Sequence, residues 1–362
     1  MKNFESAIGF DDIQILPNFS NIESRKDVNT NTIISRNHQL KYGIILSGMD
    51  TVSTPEACIE LNKTGAAGIV HRFMSIEEQS KIVKKVRDES GVCYAAVGLK
   101  DADNRIEYLI KNGANVIVCD VANGLNKKIF DFIKWYQKKY LNFDLISGNT
   151  LTKESVSRHI NLNVSGVRHN IGGGSACKTT LETSIGCPSL TALYFGWKAI
   201  RNWQLYHNDW NENITNKPSL LLDGGCRYGS DYVKAILAGA DAIITGGLFS
   251  GCMENSKEII EINGKPMVKY RGMASREVVE DYNLSDGKEE NLFIEGESYY
   301  RLFKNKSVKS IVYELNNGLR SAMSYLNFKN LEEMKGALWT DKVKAVRISS
   351  NSLYEQFPHG KN

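Results

Sequence analysis

No stretch of this chain approaches the ~20 consecutive apolar residues that a membrane-spanning helix needs. Its first residues, Met1-Lys2-Asn3-Phe4-Glu5-Ser6, lack the apolar core of a secretion signal. A cytoplasmic protein with no membrane partner is therefore expected. An excess of one charge is missing too: 45 basic and 41 acidic residues leave a net +4 over 362 residues, too little to imply a nucleic-acid partner. The seven cysteines (58, 93, 119, 177, 187, 226 and 252) are odd in number and contain no Cys-x-x-Cys pair. That argues against a disulfide framework and against a zinc site, and leaves free thiols, most of them core. The six histidines are as scattered, with no His/Asp/Glu grouping at metal-ligand spacing.

What is present is a recurrent unit. Short apolar runs at 43–47, 65–71, 92–98, 113–120, 143–149, 164–168, 219–225 and 239–247 alternate with helical patterns. Among the helices are 55–64, one capped by Ser75 with Glu78 three residues on, 127–140, and one opened by Thr152 and Glu154. The runs are continuous rather than alternating, as in strands of a parallel sheet covered on both faces. Four of them follow a similar small-residue signal, at 65, 113, 165 and 239. About eight such units predict an α/β fold closed into a (β/α)8 TIM barrel rather than an open sheet. The expectation is one domain over 1–362. It has an N-terminal lead-in at 1–40, a short flap region at 274–298 and a C-terminal extension. That extension holds an amphipathic helix at 307–327 and a polar tail at 345–362. Residues 254–265 read as a hairpin or extended segment, 281–293 as a polar mobile stretch, and 349–362 as disordered or used at a subunit contact. Residues 203–217 read as an insertion before the 219–225 strand.

Small and polar residues fall where these runs end: Ser47 and Asp50, His71-Arg72, Asp120, Asn123-Gly124, Ser147-Gly148-Asn149, Asp223-Gly224-Gly225 and Gly246-Gly247. In a barrel these gather on one face, where such folds place their chemistry. Glycines after the last two strands suit backbone N–H contacts to a phosphate, and Asp223 suits a ribose hydroxyl pair. A phosphorylated sugar such as a nucleotide satisfies both. The loop Gly172-Gly173-Gly174-Ser175-Ala176-Cys177-Lys178-Thr179-Thr180 strips the backbone of side chains just before a cysteine flanked by hydroxyls. It is either a glycine-rich turn before a buried cysteine or the cradle of a nucleophile.

These segments together resemble the IMP dehydrogenase/GMP reductase family along almost the whole chain. The loop ending Ser175-Ala176-Cys177-x-Thr179 is similar to the family's catalytic-cysteine loop. Met49-Asp50-Thr51-Val52, His71-Arg72-x-Met74-Ser75, Asp223-Gly224-Gly225 and Tyr270-Arg271-Gly272-Met273 match further motifs in order. Asp120-Val121-Ala122-Asn123-Gly124, Gly148-Asn149, Cys226 and Gly246-Gly247 resemble the reductase forms. The chain shows no room for the regulatory CBS domain pair of many dehydrogenases. Between Met273 and Glu295 it lacks the Arg-Tyr pair with which dehydrogenases activate water.

The resemblance implies NADPH-dependent reductive deamination of GMP to IMP and ammonia through a covalent Cys177 adduct at purine C2, with NADH as the alternative donor. It assigns catalytic roles to Cys177, Thr179, Glu295 and Arg72. Substrate contacts fall to Ser47, Ser175, Asp223, Gly224, Gly225, Gly246, Gly247, Gly272, Met273, Ser275 and Gly296. Asp120, Ala122, Asn123, Gly124 and Asn149 would meet the cofactor, and carbonyls of Gly172, Gly174 and Cys177 a potassium ion. A homotetramer is implied as well. Three alternatives stand beside this reading: IMP dehydrogenase, a modified purine nucleotide as substrate, and an inactive nucleotide-binding barrel. The chain departs from the family pattern at Gly173 (usually proline), His169-Asn170 (a smaller, glycine-ending pair), Lys178 (threonine), Thr180 (arginine) and Arg72 (lysine). Lys178 either lowers the thiol pKa or points to solvent.

Overall fold

A computed structural model describes residues 6–209, 217–282 and 294–355. Parts of four expected segments lie outside them: 1–5 of the lead-in, 210–216 of the insertion, 283–293 of the flap region and 356–362 of the tail. Eight parallel strands close into a barrel. In chain order, after three short N-terminal strands β1 (Ile13–Ile15), β2 (Thr32–Ser35) and β3 (His38–Leu40), the staves are β4 (Ile44–Leu46), β5 (Ala67–Val70), β6 (Tyr94–Val97) and β7 (Val116–Cys119). They continue with β8 (Asp144–Thr150), β9 (Gly166–His169), β10 (Ser219–Asp223) and β11 (Ala242–Thr245), which pairs back with β4. The eight predicted runs are the eight staves.

Periodicity explains the two layers around them. Ile45, Ile69, Ala96, Val118, Ile146, Leu221 and Ile244 pack together inside the barrel. Their neighbours Ile44, Val70, Val97, Ile117, Leu145, Leu220 and Ile243 face the surrounding helices. Both faces of each strand are therefore buried, which is why the runs are continuous. The helices begin at readable signals. Thr54 caps α1 (Pro55–Thr64) by accepting from the Ala57 N–H, with Pro55 at the first position. Ser75 caps α2 (Ile76–Ser90) through the Glu78 N–H, and Thr152 caps α5 (Lys153–Ile160), which follows α3 (Ala102–Lys111) and α4 (Lys127–Lys139).

One end of the barrel is plugged. Ile34 and Leu40 of the β2–β3 hairpin join the interior cluster. Thr32 Oγ1 donates to Asp241 O at 2.8 Å and Ser219 Oγ to Ile33 O at 2.9 Å, both at strand beginnings. The opposite, C-terminal end is left for chemistry. Beyond the barrel, β12 (Ile259–Ile262), β13 (Lys265–Arg271) and β14 (Ser298–Leu302) form an antiparallel sheet, the hairpin expected near 254–265. The amphipathic helix over Val308–Leu326 buries Val308, Ile311, Val312, Leu315, Leu319 and Met323.

Two expected segments carry regular structure. The expected insertion begins inside a helix: α7 (Ser189–Asp209), which follows the short α6 (Thr179–Thr183), runs through residues 203–209. The start of the polar tail is ordered as well. Strand β15 (Ala345–Arg347) pairs antiparallel with β1, and Ser349 caps a helix over Ser350–Tyr354. The lead-in needed a partner strand, and the tail supplies it.

Candidate active site

The glycine loop leaves β9 and turns Cys177 back on itself, its N–H donating to Gly174 O at 3.0 Å. A second segment, the stretch just before β14, runs antiparallel to it. Lys178 N–H donates to Glu295 O at 2.7 Å and Glu297 N–H to Ala176 O at 2.9 Å, with Cys177 and Gly296 paired between them. Lys178 Nζ then reaches Glu297 at 2.9 Å across the same ladder, so its charge is engaged there. Residues about 120 positions apart in sequence thus meet backbone to backbone. The fit demands glycine at Gly296, where a Cβ would lie 2.8 Å from the Ser275 nitrogen.

This pairing sets three side chains in line. The Cys177 thiol donates to Thr179 Oγ1 at 3.2 Å, and that hydroxyl donates to Glu295 Oε2 at 3.3 Å. Every donor points the same way, from sulfur toward carboxylate. A proton leaving the thiol has a defined route to a base. Arg72, placed with these three by sequence, sits elsewhere: its Nε donates to Asp120 Oδ2 at 3.0 Å and its guanidinium lies over Phe73.

A charged chain crosses the barrel mouth beside the thiol. Arg168 Nη1 donates to Asp120 Oδ1 at 2.9 Å, and its Nε and Nη2 both reach Asp223 Oδ2, at 3.0 and 2.6 Å. Asn149 Nδ2 completes it, donating to the same Asp223 oxygen at 2.8 Å and to Asn170 O at 3.0 Å. Burial opposes charge on Asp120, yet Arg168 and Arg72 together hold its carboxyl below the usual range. Arg168 itself is buried, and the two carboxylates outweigh that burial to hold its proton more tightly than usual. Sequence reasoning passed over Arg168. The available signal was a lone arginine inside an apolar strand, a charge that must find partners. His71 lies at the neighbouring strand end, and burial pushes it down to about 4, so it is neutral at pH 7.

The remaining predicted residues fall into two groups. On one side, Ser175 Oγ and Tyr270 OH share a hydrogen bond of 3.1 Å beside Gly246 and Gly247. Gly224 adopts φ +76° and backs directly onto Gly174, where a Cβ would come within 2.8 Å of its nitrogen. Gly225 faces Ser189, Gly272 faces Ala176, and Ser275 N–H donates to Gly272 O at 3.0 Å. Ser47 ends β4 by donating its N–H to Thr245 O at 3.1 Å, and Met273 Sδ accepts from the Asp50 N–H at 3.4 Å. On the other side, Ala122, Asn123, Asn149, Thr179 and Glu295 line a cavity of about 300 Å³ with apolar walls from Leu125, Leu151, Ile171 and Ile185. Gly124 N–H donates to Asn149 O at 2.7 Å, tying those two loops together. The buried Asn149 Oδ1 has no partner there and would accept a ligand donor. An apolar slot with one convergent acceptor, opening onto the thiol relay, fits a flat amide-bearing ring such as a nicotinamide. Among the described residues no group of three or more His, Cys, Asp or Glu side chains is placed to hold a metal. Among the same residues, no helix is long and apolar enough to cross a membrane.

The departures at Asn170 and Gly173 explain each other. Asn170 adopts φ +124°, and a Cβ at Gly173 would collide with its side-chain amide. A proline at 173 would require the Asn170 amide to move aside. His169, beside it, is buried with Nε2 2.6 Å from Ala192 O and Nδ1 2.9 Å from Thr150 Oγ1. A carbonyl only accepts, so Nε2 carries the proton. Burial pushes this histidine down to about 4.

Comparison with known proteins agrees with this geometry. The IMP dehydrogenase/GMP reductase domain model matches residues 7–359. The inosine-5′-monophosphate dehydrogenase of Borreliella burgdorferi is 29% identical over 415 aligned positions, covering 99% of the chain and 98% of the relative. The GMP reductase of Lactobacillus gasseri is 29% identical over 340 positions, covering 92% and 95%. That of Shewanella halifaxensis is 28% identical, covering 96% and 97%. One dehydrogenase matches along nearly its full length, so the expected lack of a CBS pair does not separate the two names. The 415 positions exceed the chain's own 362 residues, so that dehydrogenase carries segments this chain has no counterpart for.

Proposed function

The chain belongs to the IMP dehydrogenase/GMP reductase family, whose members are oxidoreductases of purine nucleotides with nicotinamide cofactors, and from that premise we propose that it reduces GMP to IMP, releasing ammonia. The thiol–hydroxyl–carboxylate line of Cys177, Thr179 and Glu295 carries the reading. Cys177 gives up its proton through Thr179 to Glu295, and its sulfur bonds to C2 of the guanine ring. The 2-amino group then departs as ammonia, taking its proton back along the same relay. A nicotinamide held along Asp120, Ala122, Asn123, Gly124 and Asn149 would supply the hydride that C2 needs, and NADPH is the donor this reading assigns. The C2–S bond then breaks, the electron pair returns to sulfur, and IMP is free.

The remaining residues position the ligands. Asp223 accepts from the ribose hydroxyls with Oδ1, its Oδ2 being taken by Arg168 and Asn149. Ser175, Gly225, Gly246 and Gly247 hold the phosphate, and Met273 and Ser275 the base, with Ser47, Gly224, Gly272 and Gly296 shaping the pocket. Asp120, Ala122, Asn123, Gly124 and Asn149 line the cofactor's side, and Arg72 fixes Asp120. Carbonyls of Gly172, Gly174 and Cys177 are the oxygen donors assigned to potassium. A homotetramer is the assembly this reading expects.

A reductase needs no base for water. Tyr282 bonds Asp50 at 3.3 Å and Arg276 pairs with Glu280, so neither is a ready water-activating partner. The second reading, IMP dehydrogenase, draws on the near-full-length match to the Borreliella enzyme. Following reduced cofactor at 340 nm (about that wavelength, where its reduced ring absorbs) separates them: GMP with NADPH should lose absorbance, and IMP with NAD should gain none. The opposite pair of results would assign the dehydrogenase.

A further inference from the structure

The phosphate of a nucleotide carries close to two negative charges at pH 7. Yet the residues assigned to it, Ser175, Gly225, Gly246 and Gly247, are all neutral. Arg301, on β14, stands beside them. Its Nη1 donates to Gly247 O at 2.7 Å. The Cβ that Gly247 lacks would lie 2.9 Å from Ser175 Oγ and 3.2 Å from Arg301 Nη1. Hydroxyl and guanidinium therefore converge on one point over the glycine.

Two aromatic rings fix the guanidinium there. It lies 4.7 Å from the Tyr270 ring centre and 5.5 Å from that of Tyr299. Tyr270 OH in turn bonds Ser175 Oγ, and Tyr299 OH donates to Ser175 O at 3.1 Å. Among the described residues, no carboxylate lies within ion-pair distance of Arg301. Three residues on, Lys304 Nζ donates to Leu248 O at 2.6 Å, so a second cation backs the same loop. A guanidinium with five N–H donors uses one on Gly247 and keeps a free edge.

We infer that Arg301 is the charge partner of the substrate's 5′-phosphate. The inference rests on the proposed function only in taking a purine nucleoside monophosphate as ligand; GMP and IMP carry the same phosphate. Binding of GMP, IMP and guanosine to the full chain by titration calorimetry tests it, for wild type, Arg301→Gln and Arg301→Lys. Arg301→Gln should weaken both nucleotides about 10- to 100-fold, the range of a lost charged hydrogen bond, and leave guanosine unchanged. Arg301→Lys should fall between. Wild-type affinity for nucleotide should drop as pH falls from 7.5 to 5.5 and the phosphate gains its second proton near pH ~6. Arg301→Gln should flatten that dependence. Equal loss for nucleotide and nucleoside, or no loss, would make Arg301 a strut for the Gly247 loop and overturn the inference. Nucleotide binding without NADPH oxidation would sink the reductase reading alone, and failure of wild type to bind either nucleotide would sink both.

Discussion

Cys177 alone would be an ordinary half-buried thiol; Thr179 and Glu295 give its proton somewhere to go. Glu295→Gln keeps the shape but removes the acceptor. It should lower kcat about 10²- to 10⁴-fold while nucleotide affinity stays near wild type. Cys177→Ala should abolish turnover altogether, and single-turnover absorbance traces would check both. A different side chain contributes to acid stability. His169 is buried and neutral, with its pKa pushed down to about 4 against roughly 6.5 for a free histidine. The unfolded chain takes up the proton first, so stability should fall as pH drops from about 6.5 toward 4. The loss attributable to His169 is up to about 3 kcal/mol. His169→Gln should flatten the slope of denaturation midpoint against pH across that window; an unchanged slope would assign the loss to other groups. The glycine loop marked Cys177 and its flanking hydroxyls, and resemblance alone added Glu295. The sequence left Arg168, Tyr270 and Arg301 without a role, because what these residues do depends on partners brought near only by closure of the barrel.

Elements explain the departures that single positions do not. The catalytic loop is built against the mouths of β8, β9 and β10, and its side chains must share space. Gly173→Pro alone should clash with Asn170 and cost about 1–3 kcal/mol in stability, with loss of activity. Asn170→Gly removes the obstruction and suits φ +124°. The double variant should recover most of what Gly173→Pro loses, and thermal unfolding of the four proteins in a cycle would measure the coupling. Strictly additive losses would refute the steric account. The staves and most helices were legible because continuous apolar runs and capping residues are local signals. The helical part of the expected insertion, 203–209, was not legible because Asn, Trp and Tyr are poor helix markers; Trp203 packs against the core there, and packing outweighs propensity.

At the scale of the whole molecule, the chain's ends are joined by β1 and β15, and the β2–β3 hairpin stops the barrel's lower opening. Neither pairing was visible in sequence, since strands of three or four residues carry too little pattern. Deleting residues from Ala345 onward would leave β1 without a partner. The melting temperature should fall by a few degrees, as expected for loss of ~1–2 kcal/mol in a protein of this size. The barrel and its active face should survive, which NADPH oxidation by the truncated protein would report.

Arg168 holds Asp120 with one nitrogen and Asp223 with two others. In the proposed function, Asp120 borders the cofactor's side of the mouth and Asp223 the ribose's. A ligand that draws the guanidinium toward either must loosen its grip on the other. Occupancy of the two halves is then thermodynamically linked, and by reciprocity each ligand alters the other's affinity by the same factor. An ordered, cooperative sequence of arrivals would follow from a single shared side chain, with no hinge and no moving domain.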